Sequence, residues 1–123
     1  KILKLMRLEK SFRFEAAHWL PNVPEGHKCG RMHGHSFRIT VVIEGSIDPE
    51  IGWVMDFNLI KSAFAPLDKK LDHYCLNEVE GLENPTSEHL AIWIWKKLVN
   101  HIDCLSNISV SEEFGTGIQY SGQ

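Results

Sequence analysis

Hydrophobic and polar positions alternate with period two in "KSFRFEAAH", Lys10 to His18. Phe12, Phe14, Ala16 and His18 share one parity, and Ser11, Arg13 and Glu15 take the other. Successive side chains of a strand point to opposite faces, so this stretch predicts a half-buried strand. "LPNVPEGHKCGRM", with two prolines and two glycines, breaks the alternation as a loop. It resumes in "HGHSFRITVVIEG", where His33, His35, Phe37, Ile39, Val41 and Ile43 fall on one face. Ser36, Arg38, Thr40 and Glu44 fall mostly on the other. "GSIDPEIG" reads as a turn and "WVMDF" as a short extended segment.

The spacing then becomes helical. Ile60, Ala63, Phe64, Leu67 and Leu71 recur at steps of three and four, which predicts a helix from near Asn58, capped by Asp56 or Asn58. Pro66 lacks a backbone N–H and predicts a bend or restart. "LDHYCLNEVEGLENP" reads as a loop. "TSEHLAIWIWKKLVNHI" predicts a second helix, with Thr86 as cap, Glu88 in the first turn and Lys96 and Lys97 late, as the helix dipole favours. Leu90, Ala91, Ile94, Trp95, Leu98, Val99 and Ile102 form its apolar stripe. A last strand, "NISVSEEF", puts Ile108, Val110, Glu112 and Phe114 on one face. Strands grouped apart from helices suggest an α+β fold with an antiparallel sheet.

A chain of 123 residues with 43% hydrophobic content fits a single domain, residues 1–123, around one core. The net charge of -3 argues against a polyanion-binding surface, so nucleic acid is not an expected partner. No apolar run approaches the ~20 residues of a membrane helix, and a membrane is not expected either. The first residue is Lys1, not Met, which reads as a trimmed product; no signal peptide is visible. Cys29, Cys75 and Cys104 are odd in number and widely spaced, so they read as free thiols of a reducing compartment, the cytoplasm.

Three histidines carry the chemistry. His33 and His35, at i and i+2 on a strand, point the same way, about 6.6–6.8 Å apart at the backbone. His18 ends the apolar parity of the neighbouring strand, and a hairpin-like pairing brings it opposite them. Three imidazoles without an obvious fourth protein ligand form the set of an open, catalytic Zn2+ site. Gly34 between them leaves room for another backbone or a ligand. Cys29, in a Gly-rich loop beside Lys28 and Arg31, is a candidate base or nucleophile. His27 reads as a loop residue or a contact to an anionic substrate. The carboxylate of Asp72 can set the tautomer of His73. Glu112 sits on the buried parity, where a carboxylate needs a partner rich in N–H donors or an arginine.

"FEAAHWLPNVPEGHKCGRMHGHSF", "GWVMDF", "LDHYCLN" and "ENPTSEHLAIWIW" together resemble the 6-pyruvoyltetrahydropterin synthase family over residues 12 to 120. The Cys-x3-His-Gly-His spacing is that of its bacterial 6-carboxytetrahydropterin branch, which serves queuosine biosynthesis. One departure is Glu113, where relatives often carry a small hydroxyl residue. The resemblance implies a T-fold, an antiparallel sheet with two helices on one face, assembling into trimeric β-barrels stacked as hexamers with sites at subunit interfaces. It implies zinc on His18, His33 and His35, proton transfer by Cys29 with Asp72 and His73, and a pterin ring anchored by Glu112 with Thr86 and Ser87 nearby. The implied activity is zinc-dependent conversion of 7,8-dihydroneopterin triphosphate to 6-carboxy-5,6,7,8-tetrahydropterin with loss of acetaldehyde and triphosphate. By charge and position, Lys28, Arg31 and His27 are candidates to meet the triphosphate. The alternatives are formation of 6-pyruvoyltetrahydropterin on the same fold, a cysteine hydrolase using Cys29 and His73, and a zinc-stabilised binding module.

Overall fold

A computed structural model describes residues 5–123. Strand β1 (Leu5–His18) is followed by β2 (His33–Ser46), helix α1 (Phe57–Leu71), helix α2 (Ser87–Leu98), β3 (Leu105–Ser111) and β4 (Ile118–Tyr120). The strands form one antiparallel sheet in the order β1-β2-β3-β4. β1 and β2 pair along their whole length, from Leu5 opposite Ser46 to His18 opposite His33. That unbroken register keeps every even residue of β1 and every odd residue of β2 on one face.

Both helices lie on that face. Phe14, Ala16, Phe37, Ile39, Val41, Ile43, Ile108 and Val110 form one buried cluster with Ile60, Phe64, Leu67 and Leu71 of α1 and Leu90, Ala91, Ile94 and Leu98 of α2. Phe12 stacks on Phe64 with ring centroids 4.1 Å apart, and Phe14 on Phe37 at 5.3 Å. Truncating such a buried ring costs about 3–5 kcal/mol. The opposite face carries Ser11, Arg13, Glu15, Ser36, Arg38, Thr40 and Ser111, and all of these are exposed or half-buried. Apart from the buried pair Val42 and Asn107, the sheet is one-sided, as the alternation requires.

Several sequence expectations need correction. Trp53 to Asp56 form no strand; they lead into α1, whose cap is Asp56, its carboxylate accepting the Asn58 N–H at 2.9 Å. Helix α1 runs unbroken through Pro66. Pro66 and Ser62, the residue whose carbonyl loses its donor, are both exposed, so the orphaned group lies on the solvent side of the helix. Helix α2 ends at Leu98, leaving Val99 exposed, whereas Trp93 is buried with its indole N–H donating to the Glu80 carbonyl at 3.0 Å. β3 stops at Ser111, and Phe114 beyond it is fully exposed. The Ser111 hydroxyl shares its one proton between the carbonyls of Glu113 and Thr116, folding the chain into a turn that returns as β4. No helix among the described residues is long and apolar enough to cross a membrane.

Candidate metal centre

At one end of the sheet the β1–β2 register places His18 directly across from His33, with His35 opposite Ala16. One ligand nitrogen from each of the three rings lies within 4.8 Å of the others. The ring centroids are 4.6 to 5.1 Å apart. A Cβ on Gly34 would meet the Ala16 carbonyl at 3.3 Å, so a side chain there would press the strands apart where the rings converge.

Backbone carbonyls set the tautomers. His18 Nδ1 lies 2.8 Å from the Pro85 carbonyl, and His33 Nδ1 lies 2.7 Å from the Arg31 carbonyl. A carbonyl only accepts, so each Nδ1 carries the proton and each Nε2 presents a lone pair. His18 is 1% exposed, and its Nε2 is buried without a hydrogen-bond partner. Burial pushes the His18 pKa down, against the opposing pull of the Pro85 carbonyl and Glu112. A neutral imidazole with a buried, unpaired lone pair is the state a metal ligand needs. The tautomers of His18 and His33, with a nitrogen of His35 within 4.8 Å of theirs, fit a divalent ion. The identities of Pro85 and Arg31 carry no sequence signal for this role, because backbone carbonyls do the work.

Glu112 lies just past the end of β3 and turns the same way as the rings. Its carboxylate oxygens are 3.9 Å from His18 Nε2 and 3.7 Å from His35 Nε2. The Ser87 hydroxyl donates to it at 2.7 Å. Thr86, the α2 cap, accepts the His89 N–H at 3.1 Å. A hollow of about 390 Å³ is lined by Leu20, Thr86, Ser87, Val110, Glu112 and Thr116, among others. The structure thus brings Glu112, Thr86 and Ser87 together beside the histidines; Glu113 lines the same hollow but is exposed.

The remaining candidates lie outside this hollow. Cys29 sits half-buried in a single 3-10 turn, Lys28–Gly30, with its N–H donating to His27 Nδ1 at 3.0 Å. His27 therefore shapes the Cys29 turn. Lys28 and Arg31 are exposed. Asp72 ends α1 and His73 follows with φ 64°, a left-handed turn that lays the chain along the outer edge of β1. Asp72 accepts the Glu15 N–H at 2.9 Å through one oxygen and contacts His73 Nδ1 at 2.9 Å through the other. The Glu15 N–H first, and His73 second, hold its carboxyl below the usual carboxylate range. His73 lines a depression of about 520 Å³ with Glu15, Gly34, His35, Ser36, Tyr74 and Cys75. Cys29 is not part of that depression, and no hydrogen bond among the described residues joins it to His73. All three cysteines are free thiols.

Comparison with known proteins agrees with this architecture. The chain is 52% identical to the 6-carboxy-5,6,7,8-tetrahydropterin synthase of Synechocystis sp. over 94 residues, covering 72% of this chain and 71% of that protein. It is 35% identical to the dihydroneopterin monophosphate aldolase of Pyrococcus furiosus over 112 residues, covering 87% and 91%. The solved structure of Caenorhabditis elegans 6-pyruvoyl tetrahydropterin synthase superimposes with a TM-score of 0.90 at 26% identity, over 98% of each chain. With residues 7–123 matching the family described as 6-pyruvoyl tetrahydropterin synthase, a one-sided four-stranded sheet under two helices and a histidine trio at its end, the chain belongs to that family.

Proposed function

We propose that this chain converts 7,8-dihydroneopterin triphosphate and water to 6-carboxy-5,6,7,8-tetrahydropterin, acetaldehyde and triphosphate, as a zinc-dependent lyase of queuosine biosynthesis in the cytoplasm. The carrying observation is the convergence of His18, His33 and His35 beside Glu112, in a chain about half identical to a protein named for that product. His18, His33 and His35 would hold the zinc ion, which when bound would supply Lewis acidity to the hydroxyls of the substrate side chain.

The chain's own groups do the rest. Glu112, fixed by the Ser87 hydroxyl, accepts the adjacent N–H donors of the amino-pyrimidine edge, with Thr86 at the rim of the same hollow. Cys29 Sγ takes the proton from the side-chain carbon next to the ring. His73, with Nδ1 engaged by Asp72, exchanges the second proton through Nε2. Proton removal and return shift electrons from side chain to ring, so the ring is reduced as the side chain is oxidised. Lys28, Arg31 and His27 receive the triphosphate. No hydrogen bond among the described residues joins Cys29 to His73; in a β-barrel hexamer built from two trimers, sites completed between copies would bring the two together.

A second reading has its own support. The Pyrococcus furiosus relative named as an aldolase is covered over 91% of its length. Aldol cleavage breaks a carbon–carbon bond and leaves the ring at the dihydro level. Formation of 6-pyruvoyltetrahydropterin reduces the ring and releases no aldehyde. A binding module would keep its metal closed to solvent and unfold without it. Incubating the zinc-loaded protein with dihydroneopterin triphosphate, and separately with the monophosphate, separates these. The proposal expects acetaldehyde and a reduced 6-carboxypterin from the triphosphate. A dihydropterin with a second aldehyde, or a pyruvoyl product alone, would overturn it.

A further inference from the structure

Beyond His18 the chain leaves the sheet, yet the next residue stays tied down. Two backbone bonds already set the segment after α1 along the outer edge of β1: the His73 N–H donates to the Glu15 carbonyl at 2.6 Å and the Ala17 N–H to the Tyr74 carbonyl at 3.0 Å. Ala17 and Cys75 form a parallel bridge. The next rung is supplied by a side chain. Asn77 Oδ1 accepts the Trp19 N–H at 3.0 Å, and Asn77 Nδ2 donates to the Trp19 carbonyl at 2.8 Å. A carboxamide has the donor and acceptor of a peptide group, so Asn77 stands in for one more residue of edge strand. Its backbone sits in the turn Leu76–Glu78, anchored by the fully buried Leu76.

The clamp bears on Cys29. The Leu20 N–H, one residue past Trp19, donates to the Cys29 carbonyl at 2.8 Å, closing the base of the loop. His18 does not depend on it, being paired with His33, buried and hydrogen-bonded to Pro85. Cys29 has fewer ties: the Leu20 N–H and its own N–H to His27. We propose that Asn77 is a positioning residue: by holding both polar groups of Trp19 it fixes the root of the Cys29 loop against the histidine trio. Its catalytic consequence rests on the pterin-synthase reading; its structural consequence does not.

The test compares the parent with Asn77→Ala and Asn77→Asp, all loaded with zinc. Amide hydrogen exchange across residues 19–30 accelerates by about tenfold or more in Asn77→Ala, while residues 12–17 and 37–43 and the zinc content per chain stay at parent values. Iodoacetamide labelling of the Cys29 peptide, read by mass spectrometry, changes in rate. kcat on dihydroneopterin triphosphate falls by about 10²-fold with KM within about twofold, the signature of a displaced reacting group. Asn77→Asp keeps an acceptor for the Trp19 N–H, so its exchange and kcat fall between the other two. Unchanged exchange and labelling in Asn77→Ala, or a rate loss matched by loss of zinc, overturns the proposal. If Asn77→Ala fails to fold, Asn77→Asp decides by the same readings. If the parent makes no product, the pterin-synthase reading fails, and exchange and labelling still decide the role of Asn77.

Discussion

The sheet end that holds His18, His33 and His35 is built inward, and the edge that holds Asp72 and His73 is built outward. The histidines stand on paired strands, under the loop that brings Pro85, with His18 1% exposed. His73 follows a helix end in a left-handed turn with its side chain 76% exposed. The first arrangement is over-determined: register, burial and backbone carbonyls all point the lone pairs to one place. The second fixes a backbone and leaves a ring in solvent. The proposed roles match these opposite constructions: a group that would hold an ion is fixed from several sides, and a group that would exchange protons is open to solvent.

Substitutions separate the two regions. The largest effect falls on His18→Ala, which removes the buried imidazole of the proposed zinc site. Zinc affinity drops by more than the roughly 10–100-fold that loss of a supporting partner costs, measured by chelator competition, and turnover disappears with the metal. Next comes Cys29→Ala, which leaves zinc bound and lowers kcat by about 10²–10⁴-fold, the range of a general base; parent turnover with zinc in place would remove Cys29 from the chemistry. Glu112→Gln weakens binding of a pterin analogue by about ten- to a hundredfold, the value of hydrogen bonds to a charged group. Glu113→Gln leaves it near the parent, and equal losses would break the assignment that rests on parity.

The smallest effect belongs to Asp72. Its pKa is depressed in the fold by the Glu15 N–H and then by His73. A depressed carboxyl stabilises the fold above its ordinary range, and that contribution is lost as pH falls through the lowered value. The melting temperature of Asp72→Asn should therefore lie below the parent's at neutral pH and converge on it as the pH falls through the depressed value. A constant gap across that range would show that ionisation of Asp72 is not involved.

The same contrast decides what the sequence could reveal. Parity alone put His18, His33 and His35 on one face, because β1 and β2 pair without a bulge beside them. Parity also turned Glu112 toward the site, since only one residue separates it from Val110 at the end of β3. It failed two residues further, at Phe114, because the hydroxyl of Ser111 ends the strand and turns the chain. β4, three residues long, is too short to show a period. Trp93 was hidden because the loop carrying Glu80 and Gly81 covers a flank of α2 outside its stripe. Pro66 suggested a break because the pattern could not show that its lost bond faces water. The supports of the site, the carbonyls of Pro85 and Arg31 and the amide of Asn77, act through backbone groups and tertiary contacts without a periodic signature.

Zinc K-edge X-ray absorption on the protein loaded with one equivalent of metal tests the centre most directly. The account predicts three nitrogen ligands at about 2.0–2.1 Å and at least one exchangeable oxygen, with no sulfur. A sulfur shell near ~2.3 Å, or metal that stays bound with an unchanged spectrum in His33→Ala, would contradict it.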